Sequence, residues 1–370
     1  NGFKFKTHSD TEVLLKAYVF YGKNVCKHIN GIFAFAIWND KKEELFVARD
    51  HFGIKPLYYS FSDENFIFAS EVKAILEHPS VNAVLDRTGI AELFGIGPSH
   101  TPGICPFKGI EELEPANYIV YNKDCFKKEE YWKLETKPHT DDLETTSEKL
   151  RFLIKDSIER QLVSDVPIGT LLSGGLDSSI ITKYASDFYK EKYGKKLDTF
   201  SVDYVDQEKN FVKNDFQPNT DNYYIDLMVK FLDTNHKKII LDTPELFDTL
   251  EDAVIARDFP GMADVDSSYL LFFKNVKKDI KVALSGECSD EIFGGYPWYF
   301  REDALNSNTF PWSIAISERQ NILNENISKE ICLNDYISAR YQESLSKVEF
   351  LDTDTENDKL HRKLIYLTSN

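Results

Sequence analysis

A chain of 370 residues has room for roughly two or three domains of about 150 residues each, and its 42% apolar content can fill real cores, which excludes a disordered tail. A net charge of −17 with scattered lysines excludes a broad polyanion-binding surface and leaves no expectation of nucleic acid as a partner. The most apolar stretches, such as Gly31–Trp38 and Val166–Leu172, fall far short of the roughly 18–20 residues needed to span a bilayer, so no membrane helix is expected.

The five cysteines, Cys26, Cys105, Cys125, Cys288 and Cys332, are odd in number and lack a Cys-x-x-Cys pair. They fit neither a disulfide framework nor a zinc site, and a reducing, cytoplasmic location is the expectation. The start, Asn1-Gly2-Phe3-Lys4, has no initiator Met and no charged-then-apolar leader, so the chain reads as a piece of something longer.

Ser9 and Glu12 stand in capping-box register ahead of Val13, Leu14, Ala17 and Tyr18 at helical spacing, which predicts a helix. Gly31–Trp38 and Leu45–Ala48 flank the polar turn Asn39–Lys42 and predict a hairpin; Pro56–Phe61 and Phe66–Ala69 around Ser62–Asn65 predict another. Ser70 is expected to cap a short helix through about Leu76. This portion is an α+β layer structure. Between Thr136 and Thr145 the composition turns to Pro, Asp, Thr and His, and the domain boundary is placed there, separating 1–135 from 136–370.

Thr145 and Glu148 then open a helix on which Leu150, Ile154, Ile158 and Leu162 repeat every four residues. After it come a strand at Val166–Leu172, a helix from about Ser178 to Tyr189, a strand at Asp198–Tyr204 and a helix at Asp221–Leu232. A short strand at Lys238–Leu241, a helix from Glu245 and a strand at Lys281–Leu284 complete the alternation, which implies a parallel sheet. Beyond Trp298 the pattern is helical.

The sharpest motif is Ser173-Gly174-Gly175-Leu176-Asp177-Ser178-Ser179, directly after an apolar strand and before a helix. Two glycines admit close approach of the backbone to an anion, the helix start supplies unpaired N–H groups, and three serines add donors. It is suited to phosphate, yet it lacks the Gly-Lys-Ser/Thr that grips β and γ phosphates in a P-loop. The plainer reading is a tight turn with a Ser/Asp cap. A second segment of the same shape, Ser285-Gly286-Glu287-Cys288-Ser289-Asp290-Glu291, follows the strand at Lys281–Leu284. At the carboxyl edge of a parallel sheet the two loops can share one crevice, where Asp177 and Asp290 could hold Mg2+ and Glu287 or Glu291 could act as acceptor or base. Alone, that acidic cluster also fits a solvated helix start.

Ser173–Ser179 resembles the pyrophosphate loop of the N-type ATP pyrophosphatases, and its pairing with Ser285–Tyr296 resembles glutamine-dependent asparagine synthetases. Thr7–Val13, Asn30–Ala36 and Ala48–Tyr59 are similar to the later part of that family's glutaminase domain. The resemblance covers nearly the whole chain. It implies a partial N-terminal-nucleophile (αββα) glutaminase domain followed by a parallel-sheet ATP pyrophosphatase domain of the adenine nucleotide α-hydrolase type.

The implied activity is ATP-dependent synthesis of asparagine from aspartate through a β-aspartyl-adenylate, with ammonia from glutamine, ATP and Mg2+ as cofactors and a possible homodimer. By the same resemblance Ser173, Gly174, Gly175, Leu176, Asp177, Ser178 and Ser179 meet the pyrophosphate, and Leu171, Val202, Ser285 and Gly286 meet the adenosine. Asp177 and Asp290 match the magnesium-linked aspartates, Glu287 the glutamate of adenylate formation and the ammonia step, and Asp10 the aspartate that holds the α-amino group of glutamine. Without the family, Asp10 reads as a first-turn cap. The runner-up is an adenylating amidotransferase or β-lactam-type synthetase acting on another carboxylate, or an inactive nucleotide-binding fragment.

The family's nucleophilic N-terminal cysteine has no counterpart at Asn1, so that residue and the glutamine-carboxylate arginine are expected upstream, and further synthetase helices are expected after Asn370. The chain as given is not expected to hydrolyse glutamine. Cys26 reads as a packed thiol, and Cys288 occupies a position where many relatives have glycine. Tyr296, Trp298, Tyr299 and Phe300 read as packing, and the acidic run Asp352–Asp358 as a solvated loop.

Overall fold

A computed structural model describes residues 2–62, 65–213 and 220–369. The chain forms two compact units, Asn1–Thr136 with Ala315–Glu343, and Lys137–Ile314 with Ser344–Asn370. The return of Ala315–Glu343 to the first unit is a crossing that a single cut at 135/136 does not describe.

In the first unit, helix α1 (Asp10–Tyr21) starts at Ser9, whose Oγ accepts from the Thr11 amide at 3.2 Å. The reciprocal half of the expected capping box does not form. Glu12 instead accepts from the amides of Lys6 (2.9 Å) and Thr7 (2.7 Å) and pairs with Lys16; Lys16 foremost, then Thr7 and Lys6, hold its carboxyl down at about 2. The first hairpin is β1 (Ala34–Asn39) and β2 (Glu44–Arg49). The second is β3 (Tyr58–Ser62) and β4 (Asn65–Ala69); residues 63 and 64 of its expected turn lie outside the described residues. Helix α2 (Val72–Leu76) begins after Glu71 without a side-chain cap, so Ser70 does not cap it.

Helix α3 (Arg87–Ala91) and strands β5 (Ile110–Glu112), β6 (Asn117–Asn122) and β7 (Cys125–Glu130) follow. Two antiparallel sheets result, ordered β1-β2-β6-β7 and β4-β3-β5. Alternation along the strands builds the layers. Phe46, Ala48, Tyr118 and Val120 pack with Tyr18 of α1, while Val47 and Ile119 face the other way and pack with Leu57, Tyr59 and Leu113. Cys26 is buried in the first of these clusters, where desolvation pushes its thiol up to about 12. From the later segment, Leu333, Ile337 and Tyr341 are buried in this unit and the Tyr336 hydroxyl donates to Glu92 at 2.6 Å.

In the second unit, helix α4 (Leu143–Gln161) begins two residues before Thr145, because Asp142 is the cap: its Oδ1 accepts from the Thr145 amide at 2.8 Å. An ionised acceptor at the positive end of the helix outcompetes a hydroxyl. Strand β8 (Ile168–Leu171), helix α5 (Leu176–Tyr193), strand β9 (Asp198–Tyr204), the short α6 (Gln207–Asn210) and α7 (Asn222–Leu232) come next. Strand β10 (Asn235–Leu241) starts three residues before the expected Lys238, pairing along its full length with β9. The helix expected from Glu245 is two, α8 (Thr243–Asp248) and α9 (Leu250–Arg257), broken at the buried Thr249. Helix α10 (Ala263–Val276), strand β11 (Val282–Leu284) and helix α11 (Ser289–Phe293) end the α/β alternation.

The sheet is parallel, in the order β10-β9-β8-β11. Its two faces are covered by different helices: Ile158 and Leu162 with Ala185 of α5 lie on one, Phe272 and Val276 of α10 on the other. The acidic run near the end is not simply solvated. Asp354 takes two bonds from Arg362 (2.7 and 3.0 Å), and Asp358 accepts from the Thr355 amide at 2.9 Å, starting the helix Glu356–Ser369. Tyr299 is buried and Tyr296 stacks on Trp298 with centroids 4.2 Å apart, whereas Phe300 is 73% exposed and does not pack as expected. Among the described residues, no helix is long and apolar enough to cross a membrane.

Candidate functional site

Strands β8, β9 and β10 step outward to one side of the sheet, and β11 returns to the other side of β8. The order therefore reverses between β8 and β11. In an open parallel sheet the loops after such a pair of strands diverge around a crevice at the carboxyl edge, where ligands bind. Both serine-glycine turns leave from this point.

After Leu172, Gly174 turns the chain with φ +82°, a conformation that a residue with a Cβ rarely takes. A Cβ there would also stand 2.9 Å from Tyr224 Cβ and 3.0 Å from the Ile225 amide nitrogen. The turn is held by its own hydroxyls: Ser178 Oγ lies 3.0 Å from Ser173 Oγ, accepts from the Ser173 amide at 3.2 Å and donates to the Gly175 carbonyl at 3.2 Å. Gly175 caps α5 without a side chain of its own, its amide donating to Ser173 Oγ at 3.4 Å. A helix start without a side-chain cap presents amides that an anion could meet. Ser173, Gly175 and Leu176 are exposed, Asp177 and Ser179 half-buried, and Ser178 buried.

The second turn meets the first. A Cβ at Gly286 would lie 3.0 Å from both Asp177 Cβ and the Ser178 amide nitrogen. Ser285 Oγ accepts from the Glu287 amide at 3.2 Å, and the Asp290 carbonyl accepts from the Gly294 (2.9 Å) and Gly295 (3.1 Å) amides. Cys288 sits at φ +69°, a left-handed conformation that glycine takes more readily than a residue with a Cβ. Burial, then the charges of Asp177 and Glu291, push the Asp290 carboxyl up. Tyr296 donates to Glu291 Oε1 at 2.9 Å, while Glu291 Oε2 is enclosed and has no hydrogen-bond partner among the described residues. Asp177, Asp290 and Glu291 stand near enough for their charges to oppose one another, yet among the described residues no group of three or more His, Cys, Asp or Glu side chains is gathered as a metal site.

Leu171 closes β8 and Val202 lies one strand over on β9, both packed against the Phe200 cluster. Asp10 lies in the first unit, exposed, its Oδ1 accepting from the Thr11 amide at 2.7 Å. Two features escaped the sequence reading. Tyr269 of α10 stands beside Glu287; burial first, then the charge of that glutamate, pushes its hydroxyl up. Asp203, Asn222 and Lys238 form a polar cluster where β9, α7 and β10 meet. The start of α7 was legible, but not what its first side chain holds.

The chain was compared with known proteins. Residues 149–369 match the asparagine synthase family, and residues 1–132 match a glutamine amidotransferase domain. The chain belongs to the asparagine synthase family. It is 46% identical over 366 residues to glutamine-hydrolyzing asparagine synthetase 3 of Bacillus subtilis, covering 99% of this chain and 59% of that protein. It is 33% identical to asparagine synthetase 1 of the same organism, covering 80% of this chain and 45% of that one. Asparagine synthetase B of Escherichia coli is 28% identical over 95% of this chain and 57% of its own length. The chain thus spans about half to three fifths of these asparagine synthase family members.

Proposed function

We propose that this chain carries the synthetase site of a glutamine-dependent asparagine synthetase together with part of its glutaminase domain. The observation that carries the reading is the meeting of the two serine-glycine turns at the switch point of the sheet, with Gly286 against Asp177 and Ser178.

ATP lies with its adenosine along Leu171, Val202, Ser285 and Gly286 and its phosphates on Ser173–Ser179, where the amides at the start of α5 and the serine hydroxyls take the negative charge. Asp177 and Asp290 would hold Mg2+, which when bound neutralises phosphate charge. An oxygen of the aspartate β-carboxylate attacks the α-phosphorus, the bond from that phosphorus to the bridging oxygen breaks, and pyrophosphate leaves. Ammonia then attacks the β-carbonyl carbon of the adenylate, AMP departs, and Glu287 takes the proton that the new amide must lose. The Tyr269 hydroxyl stands beside that carboxylate.

Asp10, exposed at the start of α1, would hold the α-amino group of glutamine, whose hydrolysis supplies the ammonia in the full-length protein. A homodimer and a cytoplasmic location complete the reading. Aspartate-dependent exchange of labelled pyrophosphate into ATP, measured against a panel of carboxylic acids, tests it. Exchange with aspartate alone is expected; exchange with another acid and not with aspartate overturns the assignment.

A further inference from the structure

We propose that Asn222, clamped between Asp203 and Lys238, is a positioning residue for the phosphate loop. The inference rests on the ATP-binding reading given above and extends it to side chains that touch no substrate.

The clamp joins three elements. Asn222 Nδ2 donates to Asp203 Oδ2 at 3.0 Å, and Lys238 Nζ donates to Asn222 Oδ1 at 2.9 Å. Lys238 Nζ also lies 3.8 Å from Asp203 Oδ2, closing the triangle, and Asp203 Oδ1 is fixed by the Tyr204 amide at 2.9 Å. Both ends of the Asn222 amide are thus specified, one by an anion and one by a cation. Bonds to charged groups are the stronger kind, and the two ionic partners stand on adjacent paired strands, the rigid part of the unit.

What the clamp holds is the first turn of α7. Asn222 is its first residue, and the Asp221 carbonyl accepts from the amides of Tyr224 and Ile225, each at 3.0 Å. This turn is the wall against which Gly174 rests: a Cβ at 174 would stand 2.9 Å from Tyr224 Cβ, 3.0 Å from the Ile225 nitrogen and 3.1 Å from the Asp221 carbonyl oxygen. With no space between them, a displacement of the start of α7 moves Gly174, and Gly174 sets the direction of the amides that follow. The clamp therefore acts on the phosphate site through packed backbone.

The test is direct ATP binding and steady-state kinetics on the full-length protein. Asn222→Ala and Lys238→Met are each expected to weaken ATP binding by roughly tenfold, the scale of a lost bond to a charged group, while KM for aspartate stays unchanged. Lys238→Arg, which keeps a donor and the charge, is expected to restore ATP affinity. Arg160→Ala, which removes an exposed ion pair on α4, serves as a control for melting temperature. Should Asn222→Ala fail to fold, Lys238→Met, which leaves the Asn222–Asp203 bond in place, carries the test. Variants that bind ATP as tightly as the wild type, or that lose aspartate and ATP affinity in equal measure, overturn the inference while the functional reading stands. A wild type that binds no ATP overturns the functional reading and the inference with it.

Discussion

Arg49 and Glu112 form an ion pair at 2.9 Å in which both side chains are almost wholly enclosed, 6% and 3% exposed. Arg49 spends its remaining donors on the carbonyls of Lys55, Gly53 and Leu113, and the second oxygen of Glu112 lies 3.1 Å from His100 Nε2. A buried pair of this kind is worth little against an apolar replacement, yet breaking it strands a charge. Arg49→Met is expected to cost about 3–5 kcal/mol, and the double variant with Glu112→Gln to recover part of that loss. Chemical denaturation of the four proteins of the cycle checks it; a double variant as unstable as the sum of the singles contradicts the account.

His236 lies between two hydroxyls of β9, with Nδ1 3.0 Å from Thr199 Oγ1 and Nε2 3.0 Å from Ser201 Oγ. Burial foremost, then the charge of Lys238, lowers its pKa below the ordinary 6.5. Above that value both folded and unfolded chains are neutral here and the residue adds no pH dependence. As pH falls through 6.5 the unfolded chain takes a proton that the folded one resists, so stability is lost until the lowered folded value is passed. Melting temperature measured across this window is expected to fall with pH in the wild type and less steeply in His236→Asn.

Gly286→Ala places a methyl 3.0 Å from Asp177 Cβ and the Ser178 nitrogen, closer than a side chain sits comfortably to backbone. The turns must part by a few tenths of an ångström. Overpacking of this size costs about 1–3 kcal/mol locally, and the expected result is a roughly tenfold or larger loss of pyrophosphate exchange. Full activity in this variant would show that the turns do not act together.

Asp290→Asn removes one member of a group of mutually repelling carboxylates. In metal-free buffer its melting temperature is expected to rise, because burial and the charges of Asp177 and Glu291 disfavour the ionised group. Stabilisation by ATP with magnesium is expected in the wild type and not in the variant. Thermal melts with and without the ligands distinguish the two effects, and an Asp290→Asn protein that is stabilised as strongly as the wild type removes Asp290 from the site.

The turn and helix around Ser173 were legible because the exit of β8 carries two glycines; the strand itself was read as Val166–Leu172 and is the shorter Ile168–Leu171. Strand β10 was read three residues too short because Asn235, His236 and Lys237 look like loop; the hydroxyls that bracket the His236 ring come from another strand. The cap of α4 was misplaced because Thr145 and Glu148 satisfy a capping pattern that the charged Asp142, three residues earlier, wins. The approach of Tyr269 to Glu287 and the clamp on Asn222 join residues far apart in sequence, and no local periodicity encodes them. The meeting of Gly286 with Asp177 was expected only as a shared sheet edge; the packing that makes it tight belongs to the fold.

The return of Ala315–Glu343 to the first unit has a practical side for anyone expressing the parts separately. A protein engineered to begin at residue 137 keeps Leu333, Ile337 and Tyr341 but discards the surface they are buried against, leaving two aliphatic side chains and an aromatic ring in water on a helix meant for another body. Such a piece invites self-association through that stripe, whatever the quality of its own sheet.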